Sequence, residues 1–199
     1  GVFDDGVLKA VFTAGGPGSG KSFLADVIFG VRDSSGKPYF GNASFLGKTG
    51  LKYVNSDKFF EKQLKDNNID PGDLQRIEKE DPKLWNKIQG ASPNSLRNIA
   101  KGKLNMLKGF FESGRIGMLV DGTGGKYDKM VRQKETAEAL GYDTMLLFVD
   151  TSEEIAVERN ADRDRKLPEK NVRELWSDVQ NNKDAFQNLF GDKMVVVNN

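Results

Sequence analysis

Eight residues, Gly15-Gly16-Pro17-Gly18-Ser19-Gly20-Lys21-Ser22, constrain this chain more than any others. They fit the spacing G-x-x-x-x-G-K-[ST], with Gly15, Gly20, Lys21 and Ser22 at the fixed places. Glycines let backbone N–H groups curl around phosphate oxygens. A lysine adds a point charge for the β- and γ-phosphates, and a serine hydroxyl can reach Mg²⁺. A helix that opens directly afterwards aims its positive dipole end at the same anion. The flanks agree with this reading. Leu8–Phe12 reads as a strand, and Ser22–Phe29 as a helix with Phe23, Val27 and Ile28 on one face. The pattern predicts a nucleoside triphosphate site in which Gly16, Gly18 and Ser19 join the fixed positions. Lys21 is expected to face solvent.

Strands and helices alternate along the rest of the chain. After the first helix, Arg32–Pro38 is turn-rich and leads irregularly to Gly50. Leu51–Asn55, Ile116–Val120, Thr144–Val149 and Met194–Val197 read as further strands. Between them lie helical stretches over residues 58–66, 74–88 with a break near Asp81-Pro82, and 95–112. Others cover 127–140 and run from Ser152 toward Arg163. A last helix is striped by Leu175, Val179, Phe186 and Phe190 and closed by Gly191. Apolar strands alternating with helices predict an α/β fold with a parallel, helix-covered sheet. With no repeat or linker, residues 1–199 read as one domain.

Composition narrows the chemistry. The chain has 199 residues, and its net charge of +1 gives no global pull toward nucleic acid or an anionic membrane. No apolar run approaches the ~20 residues of a membrane span, and no signal peptide opens the chain. Zero cysteines excludes disulfides and fits a cytosolic location. Zero histidines leaves acid–base work to carboxylates or lysines.

In parallel sheets, ligands sit beyond the carboxyl ends of the strands. Asp57, in Asn55-Ser56-Asp57, is therefore the candidate general base, against the alternative that this triplet is only a helix cap. Asp121 ends an apolar strand, as a Walker-B acid does, and is a candidate Mg²⁺ ligand with Ser22. Thr123, Gly124 and Gly125 allow close backbone approach or form a plain turn. Asp150 reads as the cap of the next helix. Arg159, Arg163 and Arg165 cluster in a charged segment, 159–168, that reads as a lid over the triphosphate. The first two lie one helical turn apart. No apolar residue lies between Ala161 and Leu167, so little anchors the lid. Trp85 and Trp176 read as core anchors.

With these motifs in this order, the chain resembles P-loop kinases over residues 8–199, and within them zeta toxins and bacteriophage polynucleotide-kinase-type enzymes. The resemblance implies a three-layer fold with a five-stranded parallel sheet ordered 2-3-1-4-5. It also implies ATP and Mg²⁺ as cofactors, Lys21 and Ser22 as their ligands, Asp57 as base and the three arginines as lid residues. A helical insert over 58–114 sets the acceptor in such enzymes. The acceptor is a hydroxyl of a sugar, nucleotide or nucleic acid, including hydroxymethylated bases in phage DNA. A phage-encoded protein of this kind acts in the host cytoplasm.

Two other readings compete: a GTPase-like switch and a remodelling ATPase. Asp121-Gly122-Thr123-Gly124 matches the D-x-x-G pattern of switches. Against it, Asn86-Lys87-Ile88-Gln89 and Asn182-Lys183-Asp184-Ala185 both lack the final Asp of the guanine-reading N-K-x-D. The chain has no room for the extra helical domain of a remodelling ATPase.

Overall fold

Five parallel strands form one sheet in the order β2-β3-β1-β4-β5 in this computed structural model, which describes residues 8–28, 49–163 and 166–199. The strands are β1 (Lys9–Ala14), β2 (Lys52–Val54), β3 (Met118–Val120), β4 (Asp143–Asp150) and β5 (Met194–Asn198). The register sets Val11 beside Leu119 on one side and Met145 on the other. Both the parallel sheet and its strand order match the sequence expectation. The Arg32–Gly50 loop lies almost wholly outside the described residues.

Strand side chains alternate between the two faces. Ala10, Phe12 and Ala14 of β1 join a buried cluster with Phe111, Met130, Val179, Phe186 and Phe190. These come from α5 (Leu96–Ser113), α6 (Tyr127–Ala139), α8 (Glu169–Asn181) and α9 (Lys183–Phe190). Val11, Leu119, Leu147 and Val149 face the other way, toward Leu24 and Ala25 of α1 (Lys21–Ile28). A third cluster gathers Phe60, Leu64, Leu74, Ile77, Ile88, Leu96 and Ala100. It is shared by α2 (Ser56–Asp66), α3 (Leu74–Glu80), α4 (Pro82–Gln89) and the start of α5. The helices between β2 and β3 thus carry a core of their own beside the sheet.

Phe23, Val27 and Ile28 of α1 are exposed, with Phe23 at 64%. Leu24 and Ala25 are the α1 residues that pack on the sheet. The last helix is two helices, broken at Asn182, whose side chain donates to Gly124 O at 3.0 Å. The helix starting near Ser152 is α7 (Glu153–Ala161), which runs toward Arg163 as expected.

These placements predict opposite outcomes for two phenylalanines. Phe12→Ala should cost about 3–5 kcal/mol in urea unfolding, because Phe12 is buried against both strands and helices. Phe23→Ser should stay within about 0.5 kcal/mol of the parent.

Candidate active site

The glycine-rich loop joins β1 to α1 at the carboxyl edge of the sheet. Gly18 has φ +79°, and a Cβ there would sit 2.2 Å from the backbone oxygen of Ala156 in α7. No larger residue fits, so loop and α7 are packed backbone to backbone. Lys21 does not face solvent as expected. Its ammonium folds back onto the loop and donates to Gly15 O, to Gly16 O at 3.0 Å and to Ser19 Oγ at 3.4 Å. Burial lowers its pKa to about 8, with Arg163 acting in the same direction. Asp121 and Asp57 oppose that shift. All four charged groups therefore feel one another across the loop.

Asp121 gathers the ends of three strands. Its Oδ1 accepts from Thr13 Oγ1 of β1 at 2.8 Å. Its Oδ2 accepts from Tyr53 OH of β2 at 2.9 Å and from Asn55 Nδ2 at 2.8 Å. Burial, and then the Asp121 carboxylate, push the Tyr53 hydroxyl far above its ordinary pKa, so it stays a donor. Ser22 and Asp121 line the same cleft. Among the described residues no three acidic side chains form a metal cage. One carboxylate and one hydroxyl, both hard oxygen donors, still fit Mg²⁺, which takes its remaining ligands from phosphates and water.

Asp57 is not the helix cap. Asn55 caps α2, its Oδ1 accepting from Asp57 N at 2.6 Å. Asp57 stands in the first turn, where the helix dipole favours a carboxylate. Its Oδ1 accepts from Arg97 Nη1 at 3.0 Å, and the Arg97 guanidinium lies 4.8 Å over the Phe60 ring. A cleft of about 750 Å³ is lined by Lys21, Ser22, Asp57, Arg97, Asp121 and Arg163, among others. A second groove of about 850 Å³ also reaches Asp57 and Arg163.

The arginine cluster divides. Arg159 sits beside the loop, its Nη1 3.6 Å from where a Gly20 Cβ would be. Arg163 stands past the end of α7 and lines the cleft. Arg165 lies outside the described residues. The return of this segment is anchored after all. The buried Asn160 side chain donates to Leu167 O at 2.8 Å and accepts from Leu167 N at 3.1 Å. Gln75 of α3 adds a bond to Lys166 O at 3.0 Å.

Solved structures of similar shape place this arrangement. A chain from the PezAT chromosomal toxin–antitoxin system of Streptococcus pneumoniae matches with TM-score 0.59 at 13% identity, over 96% of this chain and 68% of that one. A kinase candidate from Chloroflexus aurantiacus gives 0.56 at 11% identity, over 96% and 87%. A gluconokinase from Sinorhizobium meliloti gives 0.50 at 14% identity, over 96% and 83%. The fold is that of P-loop kinases. No family model and no curated protein matches the chain.

Within this P-loop kinase fold, Asp150 is not a cap. Ser152 Oγ caps α7, while Asp150 pairs with Lys183 and Gln180. The Asn182-Lys183 pair is therefore a helix junction and a strand-end ion pair. Gly15 N donates to Thr123 O at 2.8 Å, so the Thr123–Gly125 turn packs beneath the glycine loop. Trp176 is an anchor, its Nε1 donating to Thr151 O at 2.8 Å. Trp85 packs on the helical cluster and also lines the cleft. Sequence reasoning missed Arg97, Tyr53 and Asn160. Only Tyr53 carried a signal, as a polar aromatic one residue from a strand end.

The lowered Lys21 pKa has a testable sign. Lys21 is charged below about pH 8 and loses its proton above it in the free protein. A polyphosphate favours the charged form. ATP affinity should therefore fall as pH rises from 7 to 9, and calorimetry near pH 8 in buffers of different ionisation enthalpy should show proton uptake on binding. Binding that is flat across this range with no proton uptake would contradict the assignment.

Proposed function

We propose that this chain is an ATP-dependent phosphotransferase that moves the γ-phosphate of ATP onto a hydroxyl acceptor. One observation carries the reading: Lys21, Asp121, Asp57 and Arg163 line a single cleft at the carboxyl edge of a P-loop kinase sheet. Of the loop residues, Gly16, Gly18 and Gly20 present backbone N–H groups to the phosphates, Gly15 and Ser19 hold the turn through their own N–H bonds, and Lys21 supplies charge. Ser22 and Asp121 hold Mg²⁺, which neutralises charge on the phosphates when bound. Asp57 takes the proton of the acceptor hydroxyl. The acceptor oxygen forms its bond to the γ-phosphorus as the bond to the β-phosphate oxygen breaks, and ADP leaves. Arg163 and Arg159, with Arg165 of the same segment, offset the charge on the transferring group.

The motif order supports placing the chain with zeta toxins and bacteriophage polynucleotide-kinase-type enzymes. The helices over 58–114 form the acceptor side, and the acceptor is a sugar, nucleotide or nucleic-acid hydroxyl. Among the described residues no helix is long and apolar enough to cross a membrane.

A radiolabelled transfer screen over nucleosides, nucleotide sugars and DNA with 5′-hydroxyl or hydroxymethyl groups tests the reading. ATP should be used in preference to GTP, and Lys21→Ala should abolish transfer. Asp57→Asn should lower turnover about 10²–10⁴-fold while ATP binding holds. Because Asn55 caps α2, an undiminished Asp57→Asn enzyme cannot be explained by capping and would remove Asp57 as the base.

A further inference from the structure

Between β2 and α2 the chain runs Tyr53-Val54-Asn55-Ser56-Asp57, and one amide in it reaches both the Asp121 carboxylate and the backbone N–H of Asp57. Asn55 Oδ1 accepts from Asp57 N at 2.6 Å. Its Nδ2 donates to Asp121 Oδ2 at 2.8 Å and to Tyr53 OH at 2.9 Å. We propose that Asn55 is the positioning residue that fixes Asp57 relative to Asp121, so that base and metal carboxylate are held as one unit. The inference rests on the roles given to Asp57 and Asp121 above.

The residue type follows from the two tasks. A helix cap needs a short side chain with an acceptor, and Asn, Asp and Ser serve equally. The Asp121 arm needs a donor at the same time. Aspartate would set a second negative charge against Asp121, and serine is too short to span both partners. Asparagine alone combines a short reach, an acceptor and two donors. Its orientation is also fixed. Flipping the amide would point its oxygen at the Asp121 carboxylate and its NH₂ group at the Asp57 N–H.

The geometry needs this tie. β2 is only three residues long, and past it the chain turns straight into α2. The remaining backbone bond across this edge is Asp121 N to Val54 O at 3.0 Å. Removing the amide frees the first turn of α2 to shift against the end of β3. Displacements of about 1 Å in such sites cost on the order of 10²-fold in rate.

The test separates the cap from the bridge. Asn55→Ser keeps a good cap and loses the donor to Asp121. Tyr53→Phe keeps the ring and removes the hydroxyl that shares Asp121 Oδ2. Binding of a fluorescent ATP analogue is titrated with Mg²⁺, and slow ADP formation with water as acceptor is followed in parallel. For Asn55→Ser we expect analogue affinity without Mg²⁺ to stay within about twofold. Half-saturating Mg²⁺ should rise about 10-fold, and ADP formation should fall by at least as much. Tyr53→Phe should move both readouts the same way and serves alone if Asn55→Ser does not fold. A merely capping asparagine leaves Asn55→Ser at parental values, which would overturn the proposal, as would a silent Tyr53→Phe in that fallback. Asp121→Asn distinguishes the failures. If it leaves the Mg²⁺ titration unchanged, the assignment of the site itself is wrong. If it shifts the titration and Asn55→Ser does not, only the bridge is wrong.

Discussion

The Asp121 carboxylate is the knot at the working edge of the sheet. Thr13 arrives from β1, Tyr53 from β2 and Asn55 from the turn after it, and all three donate to one side chain at the end of β3. The β2–β3 ladder stops at Val54 and Val120 and the β1–β3 ladder at Phe12, and beyond them these side chains join the backbone bonds of Asp121 N to Val54 O and Gly15 N to Thr123 O in holding the edge. Hydrogen bonds to an ionised carboxylate are stronger than neutral ones. Every donor here is uncharged. Asp121 therefore keeps its full charge for the loop and for Lys21, whose proton it favours.

The site works by opposed charges at close quarters. Asp57 is paired with Arg97, Lys21 is turned into its own loop, and Arg163 faces both from beyond α7. The Lys21 ammonium is committed to carbonyl oxygens that a polyphosphate can replace. Carbonyl oxygens are poor competitors for an ammonium beside a phosphate, so the loop can hand Lys21 over on binding.

How legible this was in the sequence depends on whether the cause was local. Strand periodicity and the G-x-x-x-x-G-K-[ST] spacing are local, and the sheet and loop followed from them. Strand-end position pointed to Asp57 and Asp121 for the same reason. Lys21 was misread because its ammonium folds back onto carbonyls of its own loop, a conformation that the motif spacing does not show. Arg97 meets Asp57 across 40 residues, from a helix whose visible pattern is an apolar stripe. Asn160 sits in a run of charged residues, and only its burial reveals that it serves as a clamp.

That clamp changes what ordering the arginine segment costs. With both backbone groups of Leu167 held by Asn160, the two ends of this segment are tied side by side. The entropy of bringing its ends together is spent when the protein folds, before any ligand arrives. A ligand that engages Arg163 meets a segment whose two ends are already fixed. More of each new contact therefore appears as affinity.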